Sequence, residues 1–371
     1  MQKILVTLIG LSLLSCLNPD ENRIDKTKVY HPTMENFNFS KVEELSESTQ
    51  KNNGLQDLSE RFKHAKLIYE IDEELILGYI RDVDIDESGN IYLLDADQLY
   101  VFQIDRKTRT IDTLSKKGRG PGEVLFPSAI EVKNQSLYIS DEGVGIMSID
   151  LNDRVNKDIL FSDIYTKDFS VTDEGIFIKR RIVLPNTKNK INTIEYFDKT
   201  EKKITKQFGD AYMHSHKYAV DTYTTGFIEF IPETEVLIEV NQYQPLITGY
   251  KHGNLSWRRK ITDFQQLEIW TSDSGYRLHE KHTHQQENKR QTYKELTTIE
   301  NINGVFVFQI ATKKWPNINI AENKKLETFL VDSETGASMQ IDDMPKIMAI
   351  KNNKYVTLEE TKGSLYKYYQ F

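Results

Sequence analysis

One pattern recurs along most of this chain and restricts what it can fold into. Short runs of alternating apolar and polar residues come in groups of four, separated by polar turns. The first group is 81–86, 90–95, 99–104 and 109–114, with turns at 87–89 and 105–108. The second is 128–133, 136–140, 146–149 and 158–161, and the third 168–171, 176–182, 193–197 and 203–208. The fourth is 227–231, 236–240, 246–250 and 255–261, and the fifth 296–299, 305–310, 327–331 and 338–341. Strict alternation over such lengths, bounded by Gly, Asn, Asp and Ser, is the pattern of antiparallel strands joined as hairpins.

The sixth group has three runs, 347–350, 355–358 and 365–370, and then the chain ends. A spare run, 66–71, precedes the first group. A ring of sheets closes when the first strand of a chain completes its last sheet, and closure removes exposed edges. The count therefore predicts an all-β fold, a six-bladed β-propeller of four-stranded antiparallel blades, closed by the N-terminal strand. Repeats of about 40 residues suit it. Aromatic residues make up 11% of the chain, a composition that favours strands over a helical bundle. A β-sandwich, or two small β domains, is the competing architecture.

Between the first two groups lies Gly118-Arg119-Gly120-Pro121-Gly122-Glu123, followed by Val124-Leu125-Phe126-Pro127. Three glycines and a proline force an irregular loop. No helical pattern follows, so the loop lacks the helix N-terminus that turns such segments into phosphate cradles. It reads as the link between blades one and two. Residues 86–95, 99–105, 118–123 and 126–127 together resemble the NHL-like or TolB-like six-bladed propeller lipoproteins with a Gly-x-Gly-Pro-Gly-Glu loop. Val124 stands where that family usually has Phe, and beyond the second blade the likeness is one of strand rhythm. The resemblance implies a propeller and an envelope location, in a largely uncharacterised family.

The N-terminus agrees. Lys3, an apolar run over 4–14 and Ser15 precede Cys16, the single cysteine, so no intramolecular disulfide exists. The run is too short to span a bilayer and fits a signal-peptide core. Leu13-Leu14-Ser15-Cys16 resembles the lipobox of bacterial lipoproteins, in which the cysteine is lipidated and becomes the new N-terminus; an ordinary secretory signal is the alternative. Acylation would tether a soluble domain to a membrane. Leu17 after the cysteine favours the outer membrane, and Asp20-Glu21 faintly resembles surface-export tags. The organisation expected is a signal peptide at 1–16, a polar tether at 17–64 with a helical turn or two within 40–59, and a propeller at 65–371.

In a propeller of this hand, links between blades and loops between second and third strands share one face, here called the top. Residues 118–123 fall there, as do the long inserts 183–191, 210–226, 262–294 and 311–325. Long loops on a rigid scaffold commonly carry function. The ligand-binding candidates are Arg81 at the start of an inner strand, Arg119 and Glu123 in the glycine loop, and Asp95 and Asp141 at the ends of second strands. A mouth of mixed charge binds a small polar ligand or a peptide terminus through charge-assisted hydrogen bonds. The competing reading makes the acids caps of backbone donors. Trp270, Trp315 and Tyr276 offer either stacking surface for a sugar or peptide, or packing.

His279, His282 and His284 share one insert and His214 and His216 another. Three imidazoles can hold a divalent metal such as zinc, while the wholly polar surroundings suit a solvated excursion. No cofactor is otherwise implied. Residues 82–86 suggest a calcium loop, but Glu87 and Leu93 occupy positions that need Gly and Glu. Nucleotide-binding, nucleophile-elbow and zinc-protease motifs are absent from the sequence. A net charge of −8 argues against a nucleic-acid partner, and the run of lysines from Lys188 to Lys206 reads as a solvated edge. The expected function is a lipid-anchored binding module whose top-face loops meet a protein, peptide or glycan. A metal-dependent hydrolase or lyase at the channel mouth is the alternative.

Overall fold

In the computed structural model six strands ring one axis, each the first strand of a four-stranded antiparallel sheet. The structure describes residues 41–45, 53–71, 78–120, 122–154, 157–162, 166–181, 192–211, 217–267, 269–272, 275–278, 291–315, 326–360 and 364–371. The chain enters by helix α1 (Asn53–His64) and strand β1 (Lys66–Ile71). Blade one is β2 (Ile80–Ile85), β3 (Ile91–Asp95), β4 (Tyr100–Ile104) and β5 (Ile111–Ser115). Blade two is β6 (Pro127–Lys133), β7 (Ser136–Asp141), β8 (Gly145–Asp150) and β9 (Lys157–Phe161). Blade three is β10 (Thr166–Val171), β11 (Gly175–Arg180), β12 (Ile194–Asp198) and β13 (Lys203–Phe208), followed by helix α2 (Lys217–Thr224). Blade four is β14 (Gly226–Ile231), β15 (Val236–Asn241), β16 (Leu246–Lys251) and β17 (Asn254–Lys260). A hairpin, β18 (Ile269–Ser272) and β19 (Gly275–Leu278), precedes blade five: β20 (Gln291–Ile302), β21 (Val305–Trp315), β22 (Leu326–Asp332) and β23 (Ser338–Ile341). Blade six is β24 (Lys346–Lys351), β25 (Lys354–Glu360), β26 (Ser364–Gln370) and β1, in that order.

The inner strands meet in sequence: β2 touches β6, β6 touches β10, β10 touches β14, β14 touches β20, β20 touches β24, and β24 returns to β2. Each of the six seams holds its own apolar cluster. Tyr92, Leu94, Val132 and Ile139 fill the seam of blades one and two, and Trp257, Phe306 and Phe308 that of four and five. This explains the burial along each sheet. Strands β3 and β15 are buried on both faces because a blade lies on either side, whereas the outer strands β9 and β13 are largely exposed. Bottom-face turns are tight. Asn303-Gly304 and His252-Gly253 have positive φ at both central residues, as a two-residue hairpin requires.

Residues 53–64, inside the stretch expected as a tether, form α1. Its Leu55, Leu58 and Phe62 lie on one helical face and bury against Ile302, Ile350 and Tyr355 of blades five and six. Residues 43–45 add a short parallel bridge to the edge of blade four, the Leu45 N–H donating to the Lys260 carbonyl and the Lys260 N–H to the Glu43 carbonyl. Three predicted inserts are partly regular. Strands β20 and β21 run past the blade as a long ribbon, taking in residues 291–295 and 311–315, and α2 occupies 217–224. The hairpin β18–β19 falls in a separate unit, residues 1–32 and 268–289. Among the described residues no helix is long and apolar enough to cross a membrane.

Candidate functional site: the channel mouth

Each inner strand starts at the top of the channel, and five of the six carry a β-bulge there among the described residues. Ile80 and Asp82 face the adjacent partners Asp95 and Leu94, so Arg81 is the extra residue. By the same reasoning Ser128 is extra in β6, Lys167 in β10, Thr297 in β20 and Met348 in β24. Strand β14 has no such shift and begins at Gly226, where a side chain would strike the Val240 carbonyl. A bulge leaves one residue out of the ladder and re-aims its side chain. The result is a ring of five bulge residues at the mouth. Two are cations, Arg81 and Lys167, with the small Ser128 between them.

Arg81 is exposed and one guanidinium nitrogen donates to the Pro127 carbonyl at 3.0 Å. Lys167 is half-buried. Burial holds its amine below the ordinary lysine range, Arg81 and Arg181 push the same way, and Glu142 and Asp221 oppose. Arg181 spans those two acids, 3.3 Å from Glu142 and 3.0 Å from Asp221 on α2. Two aromatic residues flank this sector. Tyr79 is 52% exposed and Phe126 is 65% exposed. They occupy matching places, each carbonyl accepting the N–H of Ala96 or Glu142 just past the second strand.

The acids predicted as ligands are committed elsewhere. Asp95 is fully buried and accepts from Gly78 at 2.7 Å, Gln98 at 2.9 Å and Asp97 at 3.0 Å. Asp141 does the same in blade two, accepting from Leu125 at 2.6 Å, Gly143 at 2.7 Å and Phe126 at 3.0 Å. Glu123 folds back over its own loop and accepts the Gly120 N–H at 2.7 Å. A side chain at Gly118 would collide with its carboxylate, and Gly122, at φ +73°, packs under Lys157. These contacts are why the loop needs glycines. Of the five candidates, Arg81 stands at the mouth and Arg119 is exposed on the loop. Cys16, His214, His216, His279, His282 and His284 lie outside the described residues, as do the side chains of Trp270, Tyr276 and Trp315. Among the described residues no three His, Cys, Asp or Glu side chains stand close enough to hold a metal ion.

Below the mouth the same inner strands carry a second ring, of carboxylates, that the sequence reading missed. An innermost strand is a sheet edge, and its channel-side N–H groups lack ladder partners. Among the described residues, blades one, two, three and five supply carboxylate acceptors to the next. Asp82 accepts from Ile130 at 2.7 Å, Asp84 from Val132, Glu131 from Val171 at 2.7 Å, Asp168 from Ile228 at 2.8 Å and Glu300 from Ile350 at 2.9 Å. Lys351 is the cation of this ring, held charged by Asp84 and by Glu131, Glu229 and Glu300. Burial raises the acids: Asp82 to about 7, Asp168 to about 6 and Glu131 to about 8, with Asp84, Glu229 and Glu300 also raised. The wall therefore holds its protons to higher pH than ordinary carboxylates do. It is a scaffold of hydrogen bonds between blades.

One signal for Lys167 was present in the sequence. Arg81-Asp82 and Lys167-Asp168 are the same basic–acidic pair at the same place in blades one and three. The predicted third-blade strand began at Asp168 and so excluded it.

No family model matches the chain, and no curated protein matches it in sequence. The fold is shared with solved structures. A putative exported protein from Bacteroides fragilis NCTC 9343 is 10% identical, aligned over 83% of this chain and 94% of its own, with a TM-score of 0.52. A member of the duf4221 family from Bacteroides vulgatus ATCC 8482 is 9% identical over 82% and 98%, also at 0.52. At such identities the likeness is one of fold.

Proposed function

We propose that this propeller is a non-catalytic binding module, lipid-anchored through Cys16 to the outer membrane, whose ligand carries negative charge and docks at the channel mouth. One observation carries the reading. The predicted acidic ligands Asp95, Asp141 and Glu123 are spent on backbone N–H groups, while Arg81 and Lys167 stand at the rim and Arg119 on the nearby loop. An anion can bring acceptors to both rim cations, and a charge-assisted pair is stronger than a neutral hydrogen bond. The Gly118–Glu123 loop and the lipobox-like N-terminus support membership of the Gly-x-Gly-Pro-Gly-Glu lipoprotein propellers. The exported protein among the fold neighbours fits an envelope location.

The test is a thermal-shift titration of the purified full-length protein with benzoate, N-acetylphenylalanine and tetragalacturonate. At about ten times Kd a bound probe raises Tm by about 2 °C or more. At least one probe gives this rise, and Arg81→Ala removes it. No rise with any probe, or a rise unchanged by Arg81→Ala, refutes the reading. The anchor is tested separately: Cys16→Ser moves the protein from the membrane fraction to the soluble fraction, and retention in the membrane refutes lipidation.

A further inference from the structure

We infer that the mouth sector between blades one and three recognises the free C-terminus of a peptide that ends in an apolar residue, an inference that rests on the top face being the binding face. Four side chains define the sector. Arg81 and Lys167 are the bulge residues on either side of Ser128, so a short side chain lies between two long cations. Ser128 is turned to Ser140, 2.9 Å away. Among the described residues the Lys167 ammonium makes no hydrogen bond, and Arg81 uses one nitrogen, on the Pro127 carbonyl. A carboxylate set over Ser128 meets a lysine on one side and the unused guanidinium nitrogens on the other.

The aromatic pair supplies the second half of the ligand. Phe126 directly precedes Pro127, whose carbonyl holds Arg81, and Tyr79 lies two residues before Arg81. Both rings are exposed although their backbones are fixed, Phe126 by the Asp141 carboxylate and the Glu142 N–H, and Tyr79 by Asp97 and Ala96. A large apolar side chain held in solvent on a rigid loop is a contact surface with little ordering entropy to lose. The ligand is therefore one anionic group beside one apolar group.

Charge narrows this further. The chain carries a net −8. Asp82 and Asp168 follow directly on Arg81 and Lys167 in the channel wall, and Arg181 already answers Glu142 and Asp221 at the rim. A polyanion would place its further charges against Glu142 and Asp221, which have the one Arg181 guanidinium between them. A single carboxylate adjoining an apolar side chain meets the two cations and the two rings alone, and a peptide C-terminus has that composition. Capture of terminal carboxylates by convergent donors is an established recognition mode.

The experiment is fluorescence polarisation on the full-length protein with fluorescein-Gly-Gly-Ala-Phe, as the free acid and as the C-terminal amide. The acid binds, and the amide binds at least tenfold more weakly. Lys167→Gln and Phe126→Ala each weaken the acid at least tenfold, while Lys107→Ala, on the exposed 105–108 turn, leaves it unchanged, with thermal melts confirming that all three variants fold. Unlabelled N-acetylphenylalanine competes at least tenfold more weakly than unlabelled Gly-Gly-Ala-Phe. Equal binding of acid and amide, indifference to Phe126→Ala, or equal competition by the lone amino acid overturns the peptide assignment. If the peptide fails to bind while tetragalacturonate still gives an Arg81-dependent thermal shift, this inference falls and the binding-module reading stands. Failure of both removes both.

Discussion

The mouth ring and the wall ring are built on the same set of inner strands, one to three residues apart, yet they put charge to opposite uses. In the wall, Asp82, Asp84, Glu131, Asp168 and Glu300 each accept an N–H from the next blade. They complete a backbone that would otherwise present open edges to the channel. At the mouth, Arg81 and Lys167 sit on bulges, outside the ladder, and among the described residues only one of their nitrogens, on Arg81, is committed to a backbone group, the Pro127 carbonyl. A single step of register separates a structural charge from an available one. Register decides so much because side chains alternate with period two, and a bulge is the one place where that alternation is interrupted. Glu229, the acid of blade four, departs from its ring: among the described residues its carboxyl has no backbone partner, and burial with repulsion from Glu131 drives it well up.

The largest effect that can test this contrast is on a committed acid. Asp141→Ala orphans the N–H groups of Leu125, Phe126 and Gly143, and each lost buried bond costs about 1–3 kcal/mol. A loss of roughly 3 kcal/mol or more in urea unfolding is expected. A loss below about 1 kcal/mol would return Asp141 to the pool of ligand candidates.

The wall makes a prediction about pH with a definite sign. Burial raises Asp82 to about 7, Asp168 to about 6 and Glu131 to about 8, from ordinary values of 3.8 and 4.5. The unfolded chain sheds these protons near pH 4, and the folded chain keeps them longer, so folding takes up protons in between. The stability these groups contribute is complete below about pH 4, falls as pH rises, and is lost once pH passes about 8. Each proton taken up gives a slope of at most about 1.4 kcal/mol per pH unit. Urea unfolding at pH 5 and pH 8.5 shows the decline, and Glu131→Gln makes it shallower. An identical decline in the variant would remove Glu131 from the proton-holding set.

How much of this was legible in the sequence follows from the same physics. The blades were readable because hairpins are local: alternation fixes the faces, and turns such as 134–135 and 352–353 fix the pairing. Helix α1 was readable only as a helical turn or two in a tether, since its apolar stripe is only Leu55, Leu58 and Phe62, and it gains stability from blades five and six, far away in sequence. Asp95 and Asp141 were seen at the right places, ending their strands, and both roles considered for them fit an Asp there. What decides is how many N–H groups converge on each carboxylate, a property of folded loops. Lys167 was hidden because a bulge adds a residue without changing the alternation around it.

A smaller effect separates the loop from its glycines. Glu123→Ala removes one hydrogen bond, to Gly120, on a half-buried side chain, at a cost of about 1 kcal/mol. Gly122→Ala costs more, because φ is +73° there and Lys157 occupies the space. If Glu123→Ala is the costlier of the two, the carboxylate rather than the backbone geometry is what specifies the loop.

The smallest effect on stability belongs to the mouth. Lys167→Gln removes a cation that makes no hydrogen bond among the described residues and whose burial already opposes its charge. The longer stem is nearly preserved, so the change in unfolding free energy should stay within about 0.5 kcal/mol, the range of substitutions that break no committed interaction. Binding of an anionic probe should nevertheless fall at least tenfold. The two readouts together decide the comparison. A Lys167→Gln variant that loses 2 kcal/mol or more would place this residue with the wall, as one more strut between blades, and would leave Arg81 as the cation on which the mouth depends.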